Sequence, residues 1–283
     1  LKSKIEKMRF THFWGQYLLF AFVVLCSCNK NDEVFSEISE NLIKSVISSD
    51  GKIISRYIYN QNKFIDELQS PYYWNKYEYD NNGRLIREFY HINWQLMSSS
   101  YYNPNQELKL MTSTSTEFNQ YKDYEYDNFG KLKVIKYYGN ANGEMVQSTL
   151  ITFEYENEHI IKRIFTDHKS AVTRFETYEY DSKGNVLKEK NYSLFSREEP
   201  QLTSETTYKY DNKNNPYRVF YQTGQPGLYT NRNNIIEKTY SSFEDIDRGV
   251  ERKSTIITSY TYNSKGFPVK VDSNGSVSEY RYK

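Results

Sequence analysis

The feature that most constrains the fold of this chain is a short motif that recurs along it. Three clear copies read YEYDNNGRL, YEYDNFGKL and YEYDSKGNV, and they occupy Tyr77–Leu85, Tyr124–Leu132 and Tyr178–Val186. Weaker copies begin at Tyr208 and Tyr260, and degenerate ones at Tyr57, Ser100 and Phe153. A spacing of about 25 residues is typical of a repeated supersecondary unit. The repeat covers residues 46–283, with room for one further copy around Tyr229–Asn231.

Each copy predicts the tip of a β-hairpin. The Tyr-x-Tyr spacing places both rings on one face of a strand and the residue between them on the other face. The aspartate can accept hydrogen bonds from backbone N–H groups of the turn, and the glycine supplies the positive φ of a type I turn followed by a bulge. We therefore expect structural turns at Asp80 and Gly83, Asp127 and Gly130, Asp181 and Gly184, Asp211, and Gly266.

The composition favours a sheet whose core is largely aromatic. The hydrophobic fraction is only 37% with tyrosine included, whereas the chain has 29 Tyr and 16 Phe. Each such ring can bury about 150–250 Å² while a tyrosine hydroxyl stays hydrated. The predicted fold class is all-β, an antiparallel meander of repeated β-hairpins that forms a large curled or barrel-like sheet. Asp50-Gly51, between Ile47 and Ile53, predicts a further short hairpin.

The N-terminal segment predicts a secretory signal. A basic stretch over residues 2–9 precedes an apolar run, Tyr17–Leu25, and small residues follow. The sequence Leu-Cys-Ser-Cys that ends at Cys28 resembles the lipobox of bacterial lipoproteins, which implies lipidation of Cys28; Cys26 stands where Ala, Ser or Thr is more usual. The alternative is an uncleaved membrane-spanning helix over Phe10–Cys28, but two polar side chains interrupt that stretch.

The predicted organisation has three parts. Residues 1–27 form the lipoprotein signal peptide, residues 28–45 the lipidated cysteine and a tether, and residues 46–283 the repeat domain. The residue after Cys28 is Asn, and not the Asp that retains many lipoproteins in the inner membrane. A Lys followed by acids at 30–33 resembles the surface-export signal of Bacteroidetes lipoproteins. We expect a lipid anchor in the outer membrane, with exposure at the cell surface as a further expectation.

The repeat resembles the YD repeat of the RHS and teneurin families, whose consensus also runs Tyr, any residue, Tyr-Asp, two variable residues, Gly, any residue and Leu. Long arrays of that repeat form β-shells that enclose cargo. A short array behind a lipobox is more similar to uncharacterised Bacteroidetes outer-membrane lipoproteins with curled or barrel-like antiparallel meanders. The resemblance implies no catalytic residue.

The residues predict neither an enzyme nor a metal or cofactor site. The three histidines after the signal, His91, His159 and His168, lack ligand spacing, and the recurring aspartates are explained by the turns. Neither a nucleophile elbow nor a phosphate-binding glycine loop is present. Lys and Arg alternate with Glu, and the net charge is +1, which argues against a nucleic-acid partner.

A transmembrane β-barrel would show the same alternation along its strands. Its lipid-facing positions would have to hold Glu78, Lys133, Glu179 and Lys209 or their neighbours. Charged side chains at such positions destabilise a barrel in the bilayer, so we expect strands whose outer face is in water.

A non-enzymatic binding or scaffolding role at the membrane remains, with a glycan or a surface protein as partner. The glycan alternative is a lipoprotein of an outer-membrane uptake system, with Trp74, Trp94 and Tyr229 as possible ligand contacts because aromatic rings can stack on sugars. The competing interpretation is that most rings form the core. Rings outside the motif that line a concavity would favour glycan binding. Thr223–Ser254, the least repeat-like stretch, is expected to contribute a contact surface.

Surface display gives the first testable prediction. Protease added to intact cells should degrade the protein, because a lipid anchor in the outer leaflet would leave the repeat domain accessible. Full protection, measured while a known surface protein is cut, would exclude surface display and leave lipidation of Cys28 unaffected.

Overall fold

The computed structural model describes residues 40–97, 109–112, 118–194, 199–245 and 250–283. The signal region and the copy that begins at Ser100 lie outside them. The described residues form sixteen strands: β1 Ile43–Ser48, β2 Ile53–Tyr59, β3 Ile65–Gln69, β4 Tyr73–Tyr79, β5 Leu85–Ile92, β6 Gln120–Tyr126, β7 Leu132–Ala141, β8 Glu144–Glu156, β9 His159–Asp167, β10 Val172–Tyr180, β11 Val186–Ser193, β12 Gln201–Asn214, β13 Asn233–Asp245, β14 Val250–Tyr262, β15 Pro268–Ser273 and β16 Ser276–Tyr282.

The strands close into one antiparallel barrel. Each strand pairs with its neighbours in the sequence, and β1 completes the ring by pairing with β16, with Ile43 opposite Tyr282. The predicted fold class is thereby confirmed. The barrel starts at Ile43, inside the range predicted as tether, because closing the sheet gives β1 a partner strand. The only described helices are a turn at Trp94–Met97 and a 3₁₀ helix at Pro216–Thr223.

The clear motif copies lie at hairpin tips at one end of the barrel. In the copy at Asp127, Oδ1 accepts hydrogen bonds from the backbone N–H groups of Phe129 and Lys131, both at 2.9 Å. The N–H of Gly130 donates to the Asp127 carbonyl at 3.0 Å, with the glycine at φ 80°. Equivalent turns occur at Asp80 and Gly83, at Asp181 and Gly184, and at Asn263 and Gly266.

Asp211 is the exception, and the hairpin tip expected there is wrong. Strand β12 continues through it to Asn214. The Asp211 carboxylate accepts a hydrogen bond from the Lys213 N–H, as in the motif turns, and also one from the Asn234 N–H of the next strand. The connection that follows, residues 215–232, is long and folds into the barrel. No hairpin tip therefore forms around Tyr229–Asn231, where a further copy had room.

One turn of the same type lies at the other end of the barrel. Asp167 Oδ1 accepts from the N–H groups of Lys169 and Ala171, and Ser170 takes the glycine position with φ 65°. Because the Tyr-x-Tyr and Gly parts of the motif are missing there, the repeat pattern does not reveal this turn.

In four Tyr-x-Tyr pairs the first tyrosine points into the barrel and is part of its core. Tyr57, Tyr77, Tyr124 and Tyr178 are each about 5% exposed or less. They pack with aliphatic side chains that begin the odd-numbered strands, including Leu85 and Leu132.

A tyrosine hydroxyl makes a hydrogen bond that recurs on every even-numbered strand, which we call the tyrosine clip. In the Tyr-x-Tyr pairs the donor is the second tyrosine, except on β14, where it is the first, Tyr260. The donor hydroxyl crosses to the preceding odd-numbered strand and donates to a backbone carbonyl at or near the start of that strand. The donor–acceptor pairs are Tyr59–Ile43, Tyr79–Ile65, Tyr126–Leu85, Tyr155–Leu132, Tyr180–Ile160, Tyr210–Val186, Tyr260–Ile235 and Tyr282–Pro268, at 2.5–2.9 Å.

The ring of the clip tyrosine is covered by the side chain just before its acceptor residue. Arg84 lies 5.0 Å from the ring centre of Tyr126, and Lys131 lies 4.3 Å from that of Tyr155. Phe64 stacks on Tyr79 with ring centres 5.0 Å apart. A bulge beside Leu85 interrupts the regular ladder, so the clip supplies a donor where strand pairing is irregular.

The turn geometry predicts different costs for two equivalent glycines. Gly83→Ala and Gly130→Ala should each lose about 1–2 kcal/mol, because a Cβ disfavours the left-handed conformation of both residues. Gly83→Ala should lose more, because its Cβ would lie 2.8 Å from the Phe64 ring whereas that of Gly130 meets no atom within 4 Å. Denaturant unfolding of the two variants measures this, and equal losses would contradict the packing of Phe64 on the turn.

Candidate ligand-binding cup

Residues 215–232 close the end of the barrel that carries the motif turns, and we call this segment the plug. Its 3₁₀ helix, Pro216–Thr223, begins with the Asn215 side chain accepting a hydrogen bond from the Tyr217 N–H, and ends at Gly224 with φ 66°. Phe220 on this helix lies between two motif tyrosines, 6.0 Å from Tyr57 and 5.8 Å from Tyr77 between ring centres.

Amide side chains fasten the plug to the strands around it. Gln222 accepts a hydrogen bond from the Leu85 N–H at 2.7 Å and donates to the Gly83 carbonyl at 3.0 Å. Asn231, which is fully buried, accepts from the Val186 N–H at 2.8 Å. A Cβ on Gly224 would lie 2.5 Å from a methyl group of Leu132, so only glycine lets the plug approach this wall. The plugged end is thus a filled, hydrogen-bonded floor.

Above the plug the barrel contains a cavity of about 350 Å³, which we call the cup. Tyr217, Phe220, Leu228 and Tyr229 of the plug form its floor. Its walls come from β1–β4, β15 and β16 and reach the end opposite the plug, so we call that end the open end. Tyr73 is 36% exposed and Leu228 44% exposed, which shows that solvent enters.

The walls of the cup combine ring faces with hydroxyl groups. Tyr57, Tyr73 and Tyr280 line the cup together with four serines, Ser55, Ser273, Ser276 and Ser278. The hydroxyls of Tyr217 and Tyr280 lie 2.9 Å apart at the floor. Burial raises the pKa of Tyr229 to about 12 and raises that of Tyr73 as well. These hydroxyls are therefore protonated at neutral pH and can donate hydrogen bonds.

A buried ion pair borders the cup. Glu88 accepts hydrogen bonds from Lys122 at 2.7 Å, Tyr124 at 2.9 Å and Asn75 at 2.6 Å. Burial by itself would raise the pKa of Glu88, but the charge and hydrogen bond of Lys122 outweigh it and hold the pKa below its ordinary value. The charges of Glu88 and Lys122 also act on Tyr229 in the floor.

A second charged group faces inward from β9 and β10. The carboxylate of Glu176 accepts from Arg163 at 3.0 Å and Arg174 at 2.9 Å, and Tyr178 donates to the same carboxylate at 2.6 Å. The Arg174 guanidinium lies 3.6 Å from the ring centre of Phe165. The charged groups of these two clusters are thus paired with each other, and none of them lines the cup.

The three predicted ligand contacts lie in different parts of the structure, and only one of them is in the cup. Tyr229 lies in the floor of the cup. Trp74 is 2% exposed on the outer side of β4, where it stacks against Phe118 with ring centres 3.9 Å apart, so its faces are covered. Trp94 is 60% exposed in the helical turn after β5, away from the cup lining.

Sequence reasoning missed most of the cup. Tyr73, Tyr217 and Phe220 belong to no motif copy, and the serines carry no local pattern. The sequence feature that could have indicated the plug is the wide gap between the motif copies at Tyr208 and Tyr260, because an insertion of that length must form structure of its own. Within the described residues, no group of three or more His, Cys, Asp or Glu side chains could hold a metal ion.

No protein-family model and no curated protein sequence matches the chain. Solved structures with a similar fold include a porin-like protein from Bacteroides vulgatus, 12% identical over 86% of this chain and 99% of that chain, with a TM-score of 0.49. A porin-like protein from Bacteroides uniformis is 12% identical, covers 81% and 95%, and has a TM-score of 0.40. The Photorhabdus luminescens Tc holotoxin pore is 15% identical, covers 80% and 12%, and has a TM-score of 0.26.

These likenesses concern the fold alone. Among the helices of the described residues, none has the length and apolar character to cross a membrane.

The Glu88–Lys122 pair should contribute more to the stability of the barrel than an exposed cross-strand ion pair does. Glu88→Gln should cost about 3 kcal/mol of unfolding free energy, because it leaves the Lys122 ammonium buried without a counter-charge. Glu237→Gln is the matched control: its partner Lys209 is 68% exposed at 3.0 Å, and such pairs contribute less than about 1 kcal/mol. Denaturant titrations compare the two, and similar losses would contradict the buried position of the pair.

The same pair predicts a pH dependence. Since the folded-state pKa of Glu88 lies below its ordinary value of 4.5, the stability it contributes is present above pH 4.5 and is lost as the pH falls through the folded-state pKa. Glu88→Gln should lose less stability than the wild type over that acid range. If the unfolding free energies of the two proteins fell equally with decreasing pH, that result would contradict the lowered pKa of Glu88.

Proposed function

We propose that this chain is a membrane-anchored lipoprotein with a non-enzymatic binding role, and that its cup binds a saccharide. The observation that carries the proposal is a solvent-accessible concavity whose rings come mainly from outside the repeat motif. Tyr73, Tyr217, Phe220 and Tyr229 are not motif residues, and all four line the cup. Rings outside the motif that line a concavity favour glycan binding, whereas motif tyrosines packed only in the core would favour a scaffolding role.

The chemistry and size of the cup suit a small sugar. Ring faces can stack on the apolar face of a sugar, while protonated tyrosines and the serines offer donors and acceptors for its hydroxyls. A cavity of about 350 Å³ lies at the lower end of the range for small-molecule sites, about 300–1,000 Å³. Among the described residues, no ionised side chain lines the cup, which favours a neutral ligand.

The outer face of the barrel supports a position in water. Outward-facing ion pairs join neighbouring strands, with Arg87 2.5 Å from Asp123 and Lys162 3.0 Å from Glu154. In contact with lipid, Lys or Arg would destabilise a barrel by about 2–4 kcal/mol at the bilayer midplane. Attachment through a lipid on Cys28, outside the described residues, would hold such a barrel at the outer membrane while its strands remain hydrated.

Removal of one ring tests the ligand site. Tyr73→Ala should weaken saccharide binding about two- to tenfold, because one aromatic contact contributes about 0.5–1.5 kcal/mol. Phe129→Ala is the control: Phe129 is 96% exposed at a tip on the plugged end and should leave affinity unchanged. Calorimetry on a sugar first identified by a glycan array measures both.

The outcomes separate the two binding roles. An array without signal from the folded protein would exclude the saccharide and leave a binding or scaffolding role toward a surface protein. Equal affinity losses in the two variants would place the sugar outside the cup.

A further inference from the structure

The chain enters the barrel at the plugged end. Ile43, the first residue of β1, pairs with Tyr282, the last residue of β16, and the Lys283 N–H donates to the Leu42 carbonyl at 2.9 Å. Glu40 lies 3.7 Å from Lys265, in one of the motif turns of that end. Any anchor that precedes Glu40 is therefore joined to the plugged end.

The chain between the predicted lipid and the barrel is short. From Cys28 to Glu40 it can reach at most about 40 Å, since an extended residue spans about 3.3–3.6 Å. Strand β12, with 14 residues at about 3.3 Å each and tilted as barrel strands are, spans roughly 35 Å along the barrel. For the open end to face the membrane, the chain from Cys28 to Glu40 would have to run back along the outer wall of the barrel, and this path would use nearly all of its reach.

The two ends also differ in what they present to a membrane. The plugged end exposes four lysines, Lys63, Lys183 and Lys265 in its tips and Lys213 near the end of β12. The tip between β8 and β9 exposes two acids, Glu156 and Glu158, and Phe129 projects from another tip with 96% of its surface exposed. In three tips of this end the carboxylates of Asp80, Asp127 and Asp181 accept hydrogen bonds from backbone N–H groups. The described hairpin tips of the open end hold two lysines, Lys52 and Lys169, and Lys52 pairs with Asp50 at 2.8 Å.

We infer that the plugged end is the membrane-facing end, seated on lipid headgroups, and that the cup opens away from the membrane. Lysine side chains can meet anionic headgroups while the Phe129 ring enters the interfacial region. The plug then separates the ligand site from the lipid, and a ligand reaches the cup from the aqueous side. The inference rests on the proposed lipidation of Cys28 and is independent of which ligand the cup binds.

The cysteine content of the chain allows a direct test. The sequence has two cysteines, Cys26 and Cys28, and the proposed cleavage and lipidation would leave neither as a free thiol, so a single introduced thiol can be labelled without interference. Phe129→Cys places an environment-sensitive fluorophore at the plugged end, and Ala141→Cys, at the end of β7, places it at the open end as the matched control. Both sites are exposed, so neither substitution disturbs packing. The lipidated full chain is reconstituted into vesicles of phosphatidylethanolamine and phosphatidylglycerol that contain a headgroup-level nitroxide lipid.

The label at Phe129→Cys should lose most of its emission in nitroxide vesicles, and the label at Ala141→Cys should keep its emission. Equal quenching, or stronger quenching at Ala141→Cys, in protein that floats with the vesicles would overturn the orientation and leave the lipoprotein proposal standing. Failure of the purified protein to float would overturn lipidation and, with it, the inference. Saccharide binding to the soluble and vesicle-bound forms reports separately on the cup.

Discussion

The barrel depends on a hydrogen-bonded corner that is repeated around one of its ends. An aspartate closes the turn through two backbone N–H groups, and the tyrosine before it sends its hydroxyl across to the start of the preceding strand. The turn joins an even-numbered strand to the next odd one, and the clip ties it to the previous odd one. Strands that carry both features, such as β4, β6 and β10, are therefore held on both sides by hydrogen bonds at this end of the barrel, which set the register of neighbours without a thick hydrophobic core.

The corner explains how a chain poor in aliphatic residues forms a large closed sheet. In four pairs the first tyrosine fills the interior, and in most pairs the second satisfies a backbone carbonyl at the rim. Sixteen strands nevertheless enclose more space than their own side chains fill. The plug occupies this space at the plugged end, where Phe220 packs among the motif tyrosines and Gln222 is hydrogen-bonded to the turn of Gly83. The volume left above it is the cup, so the floor of the candidate site follows from completing the core.

Much of the architecture could be predicted from the residues, because the information is local. Tyr-x-Tyr-Asp-x-x-Gly specifies a strand, a turn and a returning strand within nine positions, and the turns at Asp80, Asp127 and Asp181 follow from it. The prediction of a hairpin tip failed at Asp211, where Asn214 stands at the glycine position and β12 continues to pair with β13; the carboxylate there accepts from Asn234 of β13 as well as from Lys213. It also missed the turn at Asp167, where Ser170 adopts the left-handed conformation without glycine. Of the proposed contacts, Tyr229 lines the cup, whereas Trp74 is packed under Phe118.

The sequence by itself determined an all-β meander, the positions of most hairpin tips along the chain and the candidate lipid anchor, since each is encoded in residues close together in the chain. Only the tertiary structure decided that β1 meets β16, that the insertion before β13 turns inward as a plug, and that Tyr73 and Tyr280 face the same cavity. Those outcomes depend on contacts between residues far apart in sequence, such as Ile43 with Tyr282 and Phe220 with Tyr57. Closure of the barrel brings them together, and no local pattern records which strands will meet.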